Sequence, residues 1–126
     1  MMSITVDELV ALGESGATII NAGKHAGKHE IRGAVRYRQS DLLEAEHLTL
    51  PIASDKAVVL YDETGEARDL DTIAEKFRAS GFPDVRLLEG GFRAYEDAAM
   101  PMQEASLEQV VPPHKPSEVQ ELDRRV

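Results

Sequence analysis

The stretch AVVLYDETGEAR, residues 57–68, has residue types and a spacing that could support chemistry on an anionic group. An apolar run leads into a short loop that contains one glycine and ends at an arginine. Backbone N–H groups of such loops can surround an anion, and the first loop residue can act as a nucleophile. The first residue here is an aspartate, and the chain has no cysteine, so thiol chemistry is excluded. The candidate binding residues are Asp62, Glu63, Thr64, Gly65, Glu66, Ala67 and Arg68.

Strand and helix patterns alternate along most of the chain and predict an α/β fold. β-Branched and apolar runs predict strands at 17–21, 34–38, 56–61 and 85–91. Apolar residues at helical spacing predict helices within 4–12 and at 40–48, 69–81 and 92–99. The alternation predicts about five mostly parallel strands with helices on both faces of the sheet. The candidate loop follows the most apolar strand, at the sheet edge where ligands bind in such folds.

Three local patterns predict finer detail of these elements. Thr5 and Glu8 have the spacing of a capping box at the start of the first helix. Ser40 is predicted to cap the helix at 40–48. Apolar and basic residues alternate in 34–38, which predicts a strand at the edge of the sheet.

The composition predicts a soluble, acidic protein. The chain is 42% hydrophobic and 29% charged, with a formal net charge of −9. Nucleic-acid phosphates and anionic membranes both select for clustered Lys and Arg, so the acidic balance argues against either partner. No apolar run approaches the roughly 20 residues that span a membrane. The first residues lack a cationic stretch followed by an apolar one, and a cytoplasmic location is therefore expected.

The change in composition near residue 103 predicts a boundary in the chain. A length of 126 residues suits about one domain. From Gln103 onward the sequence contains three prolines and no aromatic residue. We therefore divide the chain into a domain at 1–102 and a C-terminal tail at 103–126, which is expected to be mobile.

Three segments of the chain resemble the rhodanese-like family of sulfurtransferases and related phosphatases. The first, HEIRGAVRY at 29–37, resembles the family's turn into a strand. The second, VVLYDETGEAR at 58–68, resembles its active-site strand and loop. The third, SGFPDVRLLEGGFRAYEDAAMP at 80–101, resembles its last strand, glycine pair and closing helix. The resemblance covers about residues 4–101 and implies a rhodanese-like fold.

Departures from the family pattern determine the predicted function. Asp62 stands where active members of the family have a cysteine, and Glu30 stands where the family has a histidine. Residues 21–23, NAG, stand where the family commonly has Asp, an apolar residue and Arg, and Tyr95 replaces a tryptophan. The resemblance therefore implies an inactive homologue that serves as a binding or regulatory module. We expect no sulfurtransferase activity, no cofactor, and a protein as the partner.

Two other functions are open on the residues alone. The run from Asp62 to Gly65 also resembles the phosphoaspartate loop of haloacid-dehalogenase-type phosphotransferases, in which a metal ion assists phosphoryl transfer. That chemistry needs further carboxylates and a lysine at later strand ends, where residues 88–91 offer only Glu89. Alternatively, the loop could pack against another chain, as in a structural subunit of a complex.

Charged residues near the loop are interpreted as surface groups rather than as a metal site. The spacing of the acidic residues does not match a calcium-binding loop, and His25 and His29 lie in a glycine-rich stretch without regular geometry. We therefore predict no metal site. The acidic set is Asp62, Glu63, Glu66, Asp69 and Asp71. Five basic residues could form a patch that faces an acidic partner, but we expect them to be ordinary surface charges. They are Lys24, Lys28, Arg32, Arg36 and Arg38.

Overall fold

The structure, a computed structural model, describes residues 2–13, 15–24, 27–65, 68–109 and 111. Its strands are β1 (Ser3–Ile4), β2 (Ala17–Asn21), β3 (His29–Ile31), β4 (Val35–Tyr37), β5 (Ala57–Tyr61), β6 (Val85–Leu88), β7 (Met102–Glu104) and β8 (Glu108–Gln109). Its helices are α1 (Val6–Leu12), α2 (Gln39–Glu44), α3 (Arg68–Ala79) and α4 (Gly91–Asp97). No helix within these ranges combines the length and the apolar character needed to cross a membrane.

A parallel sheet forms the centre of the fold. Among the described residues, six strands pair in the order β1-β6-β5-β2-β4-β8, and every neighbouring pair is parallel. The central strands β2 and β5 pair from Ala17 opposite Ala57 to Asn21 opposite Tyr61. Strands β3 and β7 form a separate antiparallel pair. The predicted α/β class is confirmed, with six strands in the main sheet where about five were expected.

The sheet buries an apolar cluster on each of its faces. Every residue of β5 is buried, and successive side chains point to opposite faces. Val58 and Leu60 belong to the cluster that includes residues of α2 and α3. Val59 and Tyr61 belong to the cluster that includes residues of α1 and α4. Helices therefore cover both faces, which explains why β5 is a continuous apolar run rather than an alternating one.

The predicted capping box at the start of α1 is confirmed. The backbone N–H of Glu8 donates to Thr5 Oγ1 at 3.1 Å, and the backbone N–H of Thr5 donates to Glu8 Oε1 at 3.0 Å. Hydrogen bonding of the Glu8 carboxylate to the backbone N–H and to the side chain of Thr5 lowers the pKa of this carboxyl group. The helix therefore begins where the sequence predicts.

The predicted helix at 40–48 is wrong at both ends. Helix α2 starts one residue earlier and stops at Glu44. Its N-cap is Arg38 rather than Ser40, and the side chain of Arg38 makes no capping hydrogen bond. Gln39 lies inside the helix, and its buried amide donates to a backbone carbonyl just after β2. At the other end, the ammonium group of Lys76 in α3 donates to carbonyl groups of the last turn. Both contacts come from distant parts of the chain.

The predicted tail is also corrected in its first part. Residues 101–109, which we call the C-terminal strap, contain β7, which pairs with β3, and β8, which pairs with β4. Residues 103–109 therefore belong to the folded domain, because their backbone groups complete strand pairs. The strand predicted at 34–38 is not an edge strand, since β8 covers its outer side. Residues 112–126 of the predicted tail lie outside the described residues.

Candidate functional site

The carboxylate of Asp62 is folded back onto its own loop. Asp62 directly follows β5, so it lies at the carboxyl edge of the parallel sheet. It is only 7% exposed, and its Oδ1 accepts a hydrogen bond from the backbone N–H of Gly65 at 2.5 Å. The head of the loop thus holds a buried negative group that already engages a backbone donor of the loop.

The start of helix α4 holds the same loop in place. The N–H of Phe92 donates to the carbonyl of Asp62 at 2.8 Å, and the N–H of Arg93 donates to the carbonyl of Glu63 at 2.9 Å. The first N–H groups of a helix have no partner within the helix and therefore seek acceptors elsewhere. Two of these donors are thus used by the backbone of the loop.

Glycines allow the loop and the start of α4 to approach each other closely. Gly65 has φ +76° and Gly91 has φ +61°, in the region that side chains disfavour. A Cβ atom on Gly91 would lie 2.5 Å from the carbonyl oxygen of Asp62 and 2.8 Å from the nitrogen of Gly65. A Cβ atom on Gly65 would lie 2.9 Å from the nitrogen of Gly90. The contact is therefore backbone against backbone.

A cleft of about 350 Å³ opens beside Asp62. It lies at the carboxyl ends of β2 and β5 and at the start of α4, and it carries both signs of charge. The cationic or titratable basic side chains in its lining are Lys28, His29 and Arg93, and the acidic ones are Asp62, Glu63 and Glu96. The other lining residues are Asn21, Gly23, Gly27, Tyr61 and Phe92.

The structure brings only part of the predicted loop set to this cleft. Asp62 and Glu63 line it. Gly65 instead packs against Gly90 and Gly91, and Thr64 is exposed. Arg68 is exposed at the start of α3 and is not among the lining residues. The two remaining members, Glu66 and Ala67, lie outside the described residues.

Two aromatic rings form the apolar wall of the cleft. Tyr61 and Phe92 stack with ring centroids 6.3 Å apart. The hydroxyl oxygen of Tyr61 accepts a hydrogen bond from the backbone N–H of Ile31 at 3.1 Å. Burial raises the pKa of Tyr61 far above its ordinary value. The phenol therefore stays neutral and fixes β3 against the end of β5.

A second buried carboxylate, that of Glu30, lies next to the cleft. Glu30 is fully buried, and the amide of Asn21 donates to its Oε1 at 3.3 Å. Its Oε2 accepts from the Gln103 amide at 2.7 Å and from the Ser106 backbone N–H at 2.9 Å. In the sequence, Asn21 and Glu30 are two separate departures from the family pattern. Their contact shows that these two departures form one polar cluster, which the C-terminal strap completes.

Tyr95, the third such departure, also binds the strap. Its hydroxyl donates to the carbonyl of Pro101 at 2.8 Å. Its ring is buried in the cluster beneath α1 and α4. Glu30 and Tyr95 therefore both attach the strap to the domain.

The remaining charged residues are distributed over several surfaces. In the parts of the chain that the structure describes, no three His, Asp or Glu side chains are grouped so that they could hold a metal ion. His25, from the sequence-predicted pair, lies outside those parts. Of the basic set, Lys28 lines the cleft and Arg32 lines a separate apolar pocket. The other three, Lys24, Arg36 and Arg38, line a groove beside β4.

Comparison with known proteins supports the resemblance seen in the sequence. The chain matches the family model of the rhodanese-like domain over residues 7–98. No match is found among curated protein sequences. Solved structures of low sequence identity share the fold.

Three of these structures show the extent of the similarity. A thiosulfate sulfurtransferase from Pseudomonas aeruginosa is 23% identical, with a TM-score of 0.67 over 91% of this chain and 22% of that chain. SseA from Escherichia coli, a 3-mercaptopyruvate sulfotransferase, is 16% identical, with a TM-score of 0.62 over 98% of this chain and 62% of that chain. A Rhodopseudomonas palustris protein described as a possible tyrosine phosphatase is 23% identical, with a TM-score of 0.63 over 82% of this chain and 85% of that chain. Since the family model covers most of the chain and the folds agree, the chain belongs to the rhodanese-like domain family.

Proposed function

We propose that this chain is a binding module of the rhodanese-like family that does not transfer sulfur. The observation that carries the proposal is the buried carboxylate of Asp62, which accepts the N–H of Gly65. The carboxylate takes a place that an external anion would occupy, and it repels an incoming oxyanion. Two unit charges about 4 Å apart interact by roughly 4 kcal/mol at an effective dielectric constant of 20.

The cleft beside Asp62 is the binding surface in this proposal. Its lining combines basic groups, acidic groups and the stacked rings of Tyr61 and Phe92. A protein segment with side chains of both charges suits such a lining, because each charged group can find an opposite partner. The buried carboxylate of Glu30 helps to position the lining of the cleft, because it accepts a hydrogen bond from Asn21, which lines the cleft.

The purified protein is expected to produce no thiocyanate from thiosulfate and cyanide above a control without protein. The reason is that no thiolate is available to carry the sulfur atom. The Asp62→Cys variant, which adds a thiol, is expected to remain far less active than a sulfurtransferase, since charged side chains are also missing at 21–23. Thiocyanate formation by the wild-type protein above the control would contradict the proposal.

Removing the carboxylate tests whether Asp62 blocks an anion site. The Asp62→Ala variant is expected to bind sulfate more tightly than the wild type, because the N–H of Gly65 then lacks its resident acceptor. It is also expected to lose about 1–3 kcal/mol of unfolding free energy with the charge-assisted hydrogen bond. Sulfate binding is measured by calorimetric titration and stability by urea denaturation.

The control for this experiment is Asp71→Ala, which makes the same change of charge at an exposed position of α3. It is expected not to bind sulfate more tightly than the wild type, and to lose at most about 1 kcal/mol of unfolding free energy, because its carboxylate lies in the first turn of α3 and interacts favourably with the helix dipole. If Asp62→Ala is more stable than the wild type, the carboxylate is strained, as expected of a catalytic group. That result would favour an enzyme that uses Asp62 in phosphoryl transfer over a binding module.

A further inference from the structure

The outer edge of β4 is covered by a very short strand. Strand β8 contributes two residues, and its register places Arg36 opposite Glu108 and Tyr37 opposite Gln109. An uncovered edge strand presents unpaired N–H and C=O groups that can pair with another extended segment. The coverage of β4 therefore depends on a small element near the end of the described chain.

The carboxylate of Glu108 forms salt bridges with two arginines at this edge. Glu108 Oε2 lies 3.4 Å from Arg36 Nη2, and Glu108 Oε1 lies 2.9 Å from Arg38 Nη2. Arg38 Nε also donates to Glu108 Oε1 at 3.0 Å. Three residues further on, Val111 packs against the core cluster beneath α2 and α3. Glu108 at the end of the strap and Val111 beyond it thus provide a carboxylate followed by an apolar anchor.

The groove beside these arginines can accept more negative charge. It has a volume of about 600 Å³ and contains Lys24, Arg36 and Arg38, against Asp69 and Glu108. Arg38 is 60% exposed, so it is accessible from solvent. On a chain with a formal net charge of −9, this surplus of cations is a local exception.

We propose that the outer edge of β4, with Arg36 and Arg38, is a docking site for an extended acidic segment of a partner protein. The segment around Glu108 is the resident occupant of this site. A partner segment would replace β8 as an added strand, with main-chain hydrogen bonds for affinity and side-chain contacts for specificity. The resident occupant indicates the required pattern: an acidic residue that reaches both arginines, and an apolar residue three positions later.

A partner protein is a better candidate for this site than a second copy of the chain, because a partner can make contacts that the resident segment does not make. A second copy would offer the same segment and the same contacts. The chain's own segment is already tethered, and short tethers give effective concentrations of order millimolar. Only a segment with additional contacts, such as a further carboxylate near Lys24, can compete with it.

The test uses the full chain with the Glu108→Gln substitution, which weakens the resident occupant. The probe is a fluorescein-labelled peptide, ASLEQVV, which has the sequence of residues 105–111. Glu108→Gln is expected to bind this peptide about tenfold more tightly than the wild type, because its own competing segment has lost its charge. Binding is measured by fluorescence anisotropy and should weaken as salt is added.

Three controls make the outcome decisive. Adding Arg36→Gln to Glu108→Gln should abolish the gain in peptide affinity. The peptide ASLQQVV, which lacks the carboxylate, should bind to Glu108→Gln no more tightly than to the wild type. Glu104→Gln, which changes an exposed carboxylate on the preceding strand β7, should behave as the wild type. Circular dichroism checks that each variant is folded. Equal peptide binding by wild type and Glu108→Gln, or a gain that survives Arg36→Gln, would overturn the proposal. Dimer formation by Glu108→Gln in light scattering would overturn the choice of a partner protein and identify a second copy as the occupant.

Discussion

The Gly91→Ala variant is expected to lose about 3 kcal/mol or more of unfolding free energy, a large share of the marginal stability of a small domain. A Cβ atom there would lie 2.5 Å from the carbonyl oxygen of Asp62 and 2.8 Å from the carbonyl carbon of Glu63. Both neighbours are backbone atoms, so neither can rotate away. The positive φ of +61° adds backbone strain. Urea denaturation of wild type and variant measures the loss.

The control for this prediction is Gly81→Ala. Gly81 also has a positive φ, of +103°, but a Cβ atom there would meet nothing within 4 Å. Its loss should therefore reflect backbone strain alone, about 1–3 kcal/mol. The excess loss in Gly91→Ala isolates the close approach between the loop and α4. Equal losses in the two variants would show that the loop can move away from α4 and that the contact is not essential to the fold.

Local patterns in the sequence predicted the elements that position the loop. Strand β5 is a run of apolar residues bounded by charge, and α3 repeats apolar residues at helical spacing. Such signals depend on near neighbours in the chain, and both elements lie where the sequence placed them. The position of Asp62 at the carboxyl edge of the sheet followed from the strand assignment and was correct. The class of fold was predictable for the same reason.

The contacts that complete the site depend on distant residues and could not be predicted in this way. The close approach of Gly65 and Gly91 requires two positive-φ residues far apart in sequence. The carbonyl groups at the end of α2 accept from Lys76, which lies in another helix. The C-terminal strap has short strands of two and three residues, too short for a periodic signal. The polar composition of the strap therefore predicted a tail. The contacts of the strap with the buried carboxylate of Glu30 join residues far apart in sequence, so no local pattern indicates them.

The second large effect is expected for Gln103→Ala, at the middle residue of β7 in the strap. The Gln103 amide donates to Glu30 Oε2 at 2.7 Å and to the carbonyl of Ala34 at 3.0 Å, and its oxygen accepts from the N–H of Gly33 at 2.8 Å. The variant loses all three hydrogen bonds and leaves a fully buried carboxylate short of a donor. An unsatisfied buried polar group costs about 1–3 kcal/mol, and more when it is charged. We therefore expect a loss of about 2–4 kcal/mol of unfolding free energy.

The physical cause of that loss can be separated from a general effect on β7. Glu104→Ala changes the next residue of the same strand, which is exposed, and it should cost less than about 0.5 kcal/mol. In a double-mutant cycle, Gln103→Ala should cost much less when Glu30→Gln is already present, because no buried charge is then left without its donor. Hydrogen exchange should also become faster at Ser106, whose N–H donates to the same carboxylate, in Gln103→Ala but not in Glu104→Ala. If Gln103→Ala and Glu104→Ala lose the same small amount, the strap does not contribute to the stability of the domain, and a boundary at residue 102 describes the chain better.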